Sequence, residues 1–280
     1  MSRDARPLPA KSMAAMVSAA KEEIYQGNEH WGLIVLLGLF TGFRKRVLVH
    51  FTDDWLQETG DGYEVHFAGA EQCTIAVDGG CDYCNKPGSR GQDGFLKAKT
   101  GQGDKRTVPV PNTWYDTYNE EKKETELVEL LDMYFKTNDT WGINRRSVGE
   151  IVWKVASRRH DDIKSNHQGE AKRCVNGKYK IFPDVQVHDL RASWCAQCLR
   201  MGVDDTTMMD WGGWKKPAMI NHYRSFIGDP TGSEREKVEG EGQDTMTTLE
   251  KVEQLQEMGL IEEGQNLSAK ELAQFEQILS

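Results

Sequence analysis

The stretch GGWKKPAMINHYRSF, residues 212–226, sets a tyrosine among His, Arg and Ser, nine residues after a tryptophan. A tyrosine that only fills a core sits among apolar neighbours, and Tyr223 has few. Three further segments carry groups able to handle an anion: TGFRKR (41–46), KAKTGQGDKRTVPVP (97–111) and HDLRASW (188–194). Taken singly, each is ordinary. An arginine after a helix end is usually solvated, a lysine in a hairpin turn is common, and His188 and Arg191 are one helical turn apart on one face. Brought to one place, Arg44, Lys99, His188 and Arg191 would form an anion site. Arginine holds phosphate through a planar fork of donors that lysine cannot imitate. A tyrosine beside such a site can act as a nucleophile, because positive neighbours favour the phenolate and stabilise charge building on phosphorus.

In this order, Arg, Lys, His-x-x-Arg, Trp and Tyr, the chain resembles the tyrosine recombinase (phage integrase) family over roughly residues 7–227. TGFR resembles the family's first arginine motif, which gives Arg44 that role. KTGQGDKRTVPVP resembles the β-hairpin motif with Lys99 before the turn, and HDLRAS the His-x-x-Arg helix with His188 and Arg191. GGW stands where the family has Gly-His or Gly-Trp, which places Trp214 nine residues before the nucleophile Tyr223. The resemblance implies a site-specific DNA recombinase or integrase. Tyr223 would attack the scissile phosphate to give a 3′-phosphotyrosyl link, and Arg44, Arg191 and His188 would hold the non-bridging oxygens. Lys99 would protonate the leaving 5′-hydroxyl, and Trp214 would pack on the nucleophile's segment. No cofactor is required by that chemistry. Two features depart from the pattern: Val47 stands where an acid is usual, and the catalytic pattern begins almost at Met1, without a separate helical clamp before it. A type IB topoisomerase-like relaxase and a non-catalytic DNA-binding regulator are the competing readings.

The elements that must position these residues follow from periodicity. Helices are expected over 10–26, with Ser12 as cap, then over 29–41, from Arg44 through Leu48, and over 124–136, 145–159, 188–201, 203–211 and 216–226. DGYEVHFAG alternates as a strand, and 95–111 reads as a hairpin. The fold class is therefore α+β, mainly helical, with a small antiparallel sheet, which is also what the resemblance implies. The expected organisation is a catalytic domain over 1–227 with a Cys- and Gly-rich insertion at 70–94, an acidic linker at 228–246 and a small helical tail at 247–280. Thr247 with Glu250 and Ser268 with Glu271 fit capping boxes in that tail.

Of 44 acidic and 35 basic residues, 13 and 4 lie from Asp229 onward, so the tail carries the whole formal charge of −9. The body, with 31 of each sign, is free to present a basic face to DNA. Arg145, Arg146, Arg158, Arg159, Lys172, Arg173, Lys178 and Lys180 are the expected phosphate-contacting surface. Expected partners are double-stranded attachment-site DNA, further copies forming a tetramer on paired sites, and an accessory DNA-bending or directionality factor. The longest apolar run, 31–40, is too short for a bilayer, and the N-terminus has no signal-peptide core, so a cytoplasmic location is expected.

Six cysteines without a secretion signal favour reduced thiols or a metal site over disulfides. Cys73, Cys81 and Cys84 form a C-x7-C-x2-C pattern, with His66 as a nearby fourth donor, a candidate structural zinc set; free thiols in a loop are the equal alternative. A similar Gly- and Cys-rich insertion occurs in integrases of archaeal viruses and plasmids. Cys195 and Cys198 are expected in the core, His222 on a surface or DNA-facing side, and His50, His160 and His167 carry no assignment.

Overall fold

The computed structural model describes residues 5–60, 62–67, 70–73, 84, 95–97, 106–143, 145–164, 170–175 and 178–226, with 70–72, 95–97, 145–146, 164, 170–175 and 178–182 described through their backbone alone. The linker at 228–246, the tail at 247–280 and their capping boxes lie outside these residues, as do Cys81, Lys99 and His167. Helix α1 (Ala10–Tyr25) begins at Pro9, whose carbonyl accepts from the Met13 amide, and Ser12 is buried inside the helix instead of capping it. Helix α2 (Glu29–Thr41) packs along α1 and is buried continuously from Gly32 to Thr41. This is why its sequence is apolar on every side: it is the central rod around which the other helices pack. It stops at Gly42, whose φ of +63° is a left-handed cap, and a Cβ there would lie 2.1 Å from the Trp194 ring. The short α3 (Lys45–Leu48) follows, and the Trp141 indole donates to the Leu48 carbonyl to hold its end.

Strands β1 (Leu56–Thr59) and β2 (Gly62–Phe67) form an antiparallel pair. The sequence predicts one hairpin over 95–111, but its two strands enter different sheets. Strand β3 (Ala70–Gln72) pairs with β4 (Phe95–Lys97), while β5 (Arg106–Val110) pairs with β2. The register explains the choice: Val65 faces Val108, both fully buried, so pairing β5 with β2 completes one apolar face. Strands β6 (Thr113–Asp116) and β7 (Glu121–Glu124) make a hairpin the periodicity does not reveal. Its turn is held by Asp116, which accepts from the Tyr118 and Asn119 amides, the Asn119 side chain and Lys123.

Helices α4 (Leu127–Phe135) and α5 (Arg145–Arg158) cover α2. After α5 come α6 (His160–Lys164) and the hairpin of β8 (Glu170–Val175) and β9 (Lys178–Pro183). Helix α7 (Val187–Arg200) packs on α2, and α8 (Asp205–Gly212) and α9 (Ala218–Arg224) close that end of the molecule. No helix among the described residues is long and apolar enough to cross a membrane.

Two arginines expected on a DNA face have other partners. Arg158 donates to the carboxylate of Glu23, which is 1% exposed, through Nε at 2.5 Å and Nη2 at 3.1 Å, and Arg159 pairs with Glu22. Both tie α5 to α1. Replacing Arg158 with Ala leaves a buried carboxylate short of its cation. The outer partner is half-exposed, so the expected loss is about 1–3 kcal/mol in chemical denaturation. Glu23→Gln in that background should recover part of it. An unshifted midpoint in Arg158→Ala would show that the pair is idle.

Candidate active site and metal group

Helix α7 distributes its residues by angle. Asp189 and Ser193, one turn apart, face the N-terminal arm. The Asp189 carboxylate accepts from the Arg6 and Gln186 amides at 3.1 and 2.8 Å, and Ser193 Oγ accepts from the Leu8 amide at 2.8 Å. Arg191 points the other way, into the molecule, at 3% exposed. Its Nη1 donates to the Gly42 carbonyl at 2.5 Å and its Nη2 to the Gly212 carbonyl at 2.6 Å. Its guanidinium lies 4.5 Å from the centre of the Trp214 ring, a cation–π contact. Segments far apart in sequence are thus fastened to one side chain: TGFR through Gly42, GGW through Gly212 and Trp214.

The Gly212-Gly213 pair is required by this packing. A Cβ at Gly212 would sit 2.3 Å from the Trp214 ring, and Gly213 has a φ of +59° as the left-handed cap of α8. The chain then turns into α9, which delivers Tyr223 back against Trp214, with ring centres 5.9 Å apart. Ile220 anchors α9 in the core, and Arg224 Nη2 pairs with Asp205 Oδ1 at 2.5 Å, tying α9 to α8. Tyr223 is 3% exposed, its ring covered by Trp214.

Of the residues singled out in the sequence, Arg44, Arg191, Trp214 and Tyr223 come together. Arg44 is the half-buried N-cap residue of α3. His188 is exposed at the mouth of a cleft it shares with Lys45, Glu150 and Trp153, one turn before Arg191. Lys99 lies outside the described residues, beyond β4.

Arg106 belongs to the same cluster and was missed. It is 4% exposed, donates through Nη1 to the Gly212 carbonyl at 3.2 Å, and stands over the Phe67 ring. The signal was available: alternation along β5 puts Arg106 on the face of Val108 and Val110, an arginine in a core-facing register. Burial, and then the like charges of Arg44 and Arg106, hold the Arg191 pKa down to about 9, against the opposing pull of Tyr223 and Cys195. The Tyr223 phenol is raised above its ordinary value. Burial is the largest cause, Cys195 and Asp189 add to it, and Arg191 and Arg44 pull the other way. Positive neighbours therefore do not by themselves make a phenolate in this state. The group as a whole is a buried cluster of cations beside a neutral phenol, an arrangement that favours an anion.

The second group of note is buried beside α3. His50 Nε2 lies 3.3 Å from Cys73 Sγ and 3.3 Å from Cys84 Sγ, and these three residues could hold a metal ion. His66 is not the histidine of this set. Alternation along β2 turns Val65 and Phe67 inward and His66 outward, where it meets Thr107 at 3.1 Å and Glu64 at 3.2 Å. His50 takes its place, although it precedes Cys73 by 23 residues, a separation that local spacing does not bridge. Cys195 and Cys198 are buried in α7, with burial pushing both thiols up to about 12, as neutral core residues.

No protein-family model and no curated protein sequence matches the chain. Among solved structures it is similar to the Tn1549 transposon integrase in complex with transposon right-end DNA, at 13% identity and a TM-score of 0.50. It is also similar to that integrase with a circular-intermediate DNA, at 11% and 0.51, each match covering 85% of this chain and 66% of that one. XerA recombinase aligns over 85% of this chain and 66% of its own, at 12% identity and a TM-score of 0.49. The chain spans between about half and two-thirds of the structures it matches, 52–66%. The fold is the mainly helical α+β fold of tyrosine recombinase catalytic domains, with small antiparallel sheets.

Proposed function

We propose that this chain is a site-specific DNA recombinase or integrase that cuts and rejoins DNA through Tyr223. The observation that carries this reading is the buried tyrosine packed on Trp214, beside a guanidinium cluster of Arg191, Arg44 and Arg106. Cations gathered in a dry site repel one another, and a phosphate diester among them relieves that repulsion while accepting their hydrogen bonds. The phenol oxygen attacks phosphorus, the P–O5′ bond breaks, and the phenol proton passes to solvent or to an adjacent base. The 5′-hydroxyl departs with a proton from Lys99, and the bond's energy stays in the 3′-phosphotyrosyl ester until a second 5′-hydroxyl reverses the step. His188, exposed one turn from Arg191, would meet the same phosphate from the cleft side.

In this reading the partner is double-stranded DNA, and the Tn1549 integrase was solved in complex with transposon right-end DNA. Paired sites call for further copies of the chain, as a tetramer, and an accessory bending or directionality factor would act on the same DNA. Because Tyr223 is buried, DNA binding must also open the α9 segment before cleavage.

Nicked suicide duplexes from the chain's own genomic neighbourhood should trap a denaturation-resistant protein–DNA band. In Tyr223→Phe the band should vanish while binding affinity is kept. Binding without a band in the unaltered protein would leave a non-catalytic DNA-binding role. Arg106→Ala should reduce band formation on the order of 100-fold, the scale of losing one donor to a developing oxyanion. Arg106→Lys should restore only a part, since lysine lacks the fork. Unchanged cleavage in Arg106→Ala would remove Arg106 from the phosphate site.

A further inference from the structure

The buried group of His50, Cys73 and Cys84 takes no part in the chemistry above and is built like a ligand set. His50 follows α3 directly. Its Nδ1 lies 2.6 Å from the Arg46 carbonyl oxygen, which can only accept, so Nδ1 carries the proton and Nε2 offers its lone pair. That lone pair is shared by two sulfurs, each at 3.3 Å. One lone pair cannot accept linear hydrogen bonds from two thiols at once, whereas one ion can bind all three atoms. A tetrahedral zinc with Zn–N of about 2.0 Å and Zn–S of about 2.3 Å has ligand-to-ligand edges of about 3.5–3.8 Å. The three donor atoms here all lie within 4.8 Å of one another, and the two nitrogen–sulfur edges are close to that size. The hydrogen bond from Nδ1 to a main-chain carbonyl is the usual outer support that orients a metal-bound imidazole.

We propose that His50, Cys73 and Cys84 bind a structural Zn2+ ion. The donor chemistry selects the metal. Two thiolates and an imidazole suit a borderline-soft ion and give nothing to magnesium or calcium, which require oxygen. All three residues are buried, Cys73 at 7% exposed and the other two fully, so the ion is shielded from substrate and its role is architectural. On binding, the Cys73 and Cys84 thiols each release a proton and form a zinc–sulfur bond, and the imidazole binds without losing one. The ion clips the insertion to the segment that begins at Arg44 and runs through α3 to His50. Cys73 also directly follows β3, whose partner β4 leads towards Lys99. One ion thus braces the segment from Arg44 to His50, which leads out of the proposed phosphate site, against Cys73 and Cys84. The assignment rests on these three donors and not on DNA cleavage.

The test is metal content of the full-length chain, purified reduced and without a metal-affinity step. Elemental analysis should find one zinc per chain. His50→Ala and Cys73→Ser should each lose it, while Cys198→Ser, in the core of α7, should keep it. Should the ligand variants fail to fold, the unaltered protein still decides. A strong chelator should lower its melting temperature, and added Zn2+ should restore it. Co2+ added to the stripped protein should give the visible absorption of a tetrahedral sulfur-ligated site. A folded, reduced protein that contains no zinc and gives no Co2+ spectrum would overturn the proposal, as would zinc retained in both His50→Ala and Cys73→Ser. Either result leaves the trapping of a covalent DNA band untouched, so the two readings fail separately.

Discussion

A guanidinium taken out of water must have its donors satisfied, and the centre of this molecule is arranged to do that for Arg191. Its hydrogen bonds among the described residues all run to main-chain carbonyls, those of Gly42 and Gly212, with an indole face beneath it. Carbonyls satisfy the donors without neutralising the charge, and the charge is what makes the site attractive to an anion. The glycines, the tryptophans and the turn into α9 follow from that one demand. Gly42 must lack a Cβ because Trp194 fills the space. Gly212 must lack one because Trp214 lies against it, and Trp214 in turn supports both Arg191 and Tyr223.

The helix bearing Arg191 links this site to the rest of the fold. Between 187 and 196 only His188 reaches solvent. Asp189 and Ser193 fix the N-terminal arm, Leu190 packs near α2 at Gly38, and Cys195 and Cys198 fill the core. A helix held on so many sides has little freedom to rotate, and Arg191 inherits that rigidity. Tyr223 is held more loosely: α9 has seven residues, one buried aliphatic anchor and an ion pair at its edge. In the proposed reaction the rigid part of the site binds charge, and the less firmly held part carries the attacking oxygen.

Among the described residues the helices other than α6 were legible in the sequence, α2 through an unbroken apolar run and α1, α4 and α5 through an apolar stripe. Arg44, Arg191, Trp214 and Tyr223 were singled out by the order of their motifs along the chain, and the fold brings these four together. What was not legible depended on pairing across the chain. Strand β5 chose β2 over β4 because Val108 had to face Val65, a matter of register and not of propensity. Arg158 and Arg159 read as a basic face until α1 supplied Glu22 and Glu23. His50 read as unassigned because its sulfur partners come from an insertion much further along the chain, while His66, nearer in sequence, is turned outward by the pleat. Arg106 was overlooked although the alternation of β5 sets it on the core-facing side with Val108 and Val110.

For the DNA cleavage proposed above, a chain whose reacting oxygen sits on a residue 3% exposed would be quiescent when it diffuses free, with random phosphates meeting mainly its surface. Competence belongs to a minor, opened population, and any DNA that favours this population must bind it more tightly than the closed form by the free energy of opening. If one molecule in a hundred is open, the apparent affinity of the cleaving form is weakened by about a hundredfold, or about 2.7 kcal/mol. Discrimination between a correct and an incorrect duplex can then be exerted at the opening step, before any covalent bond is at risk.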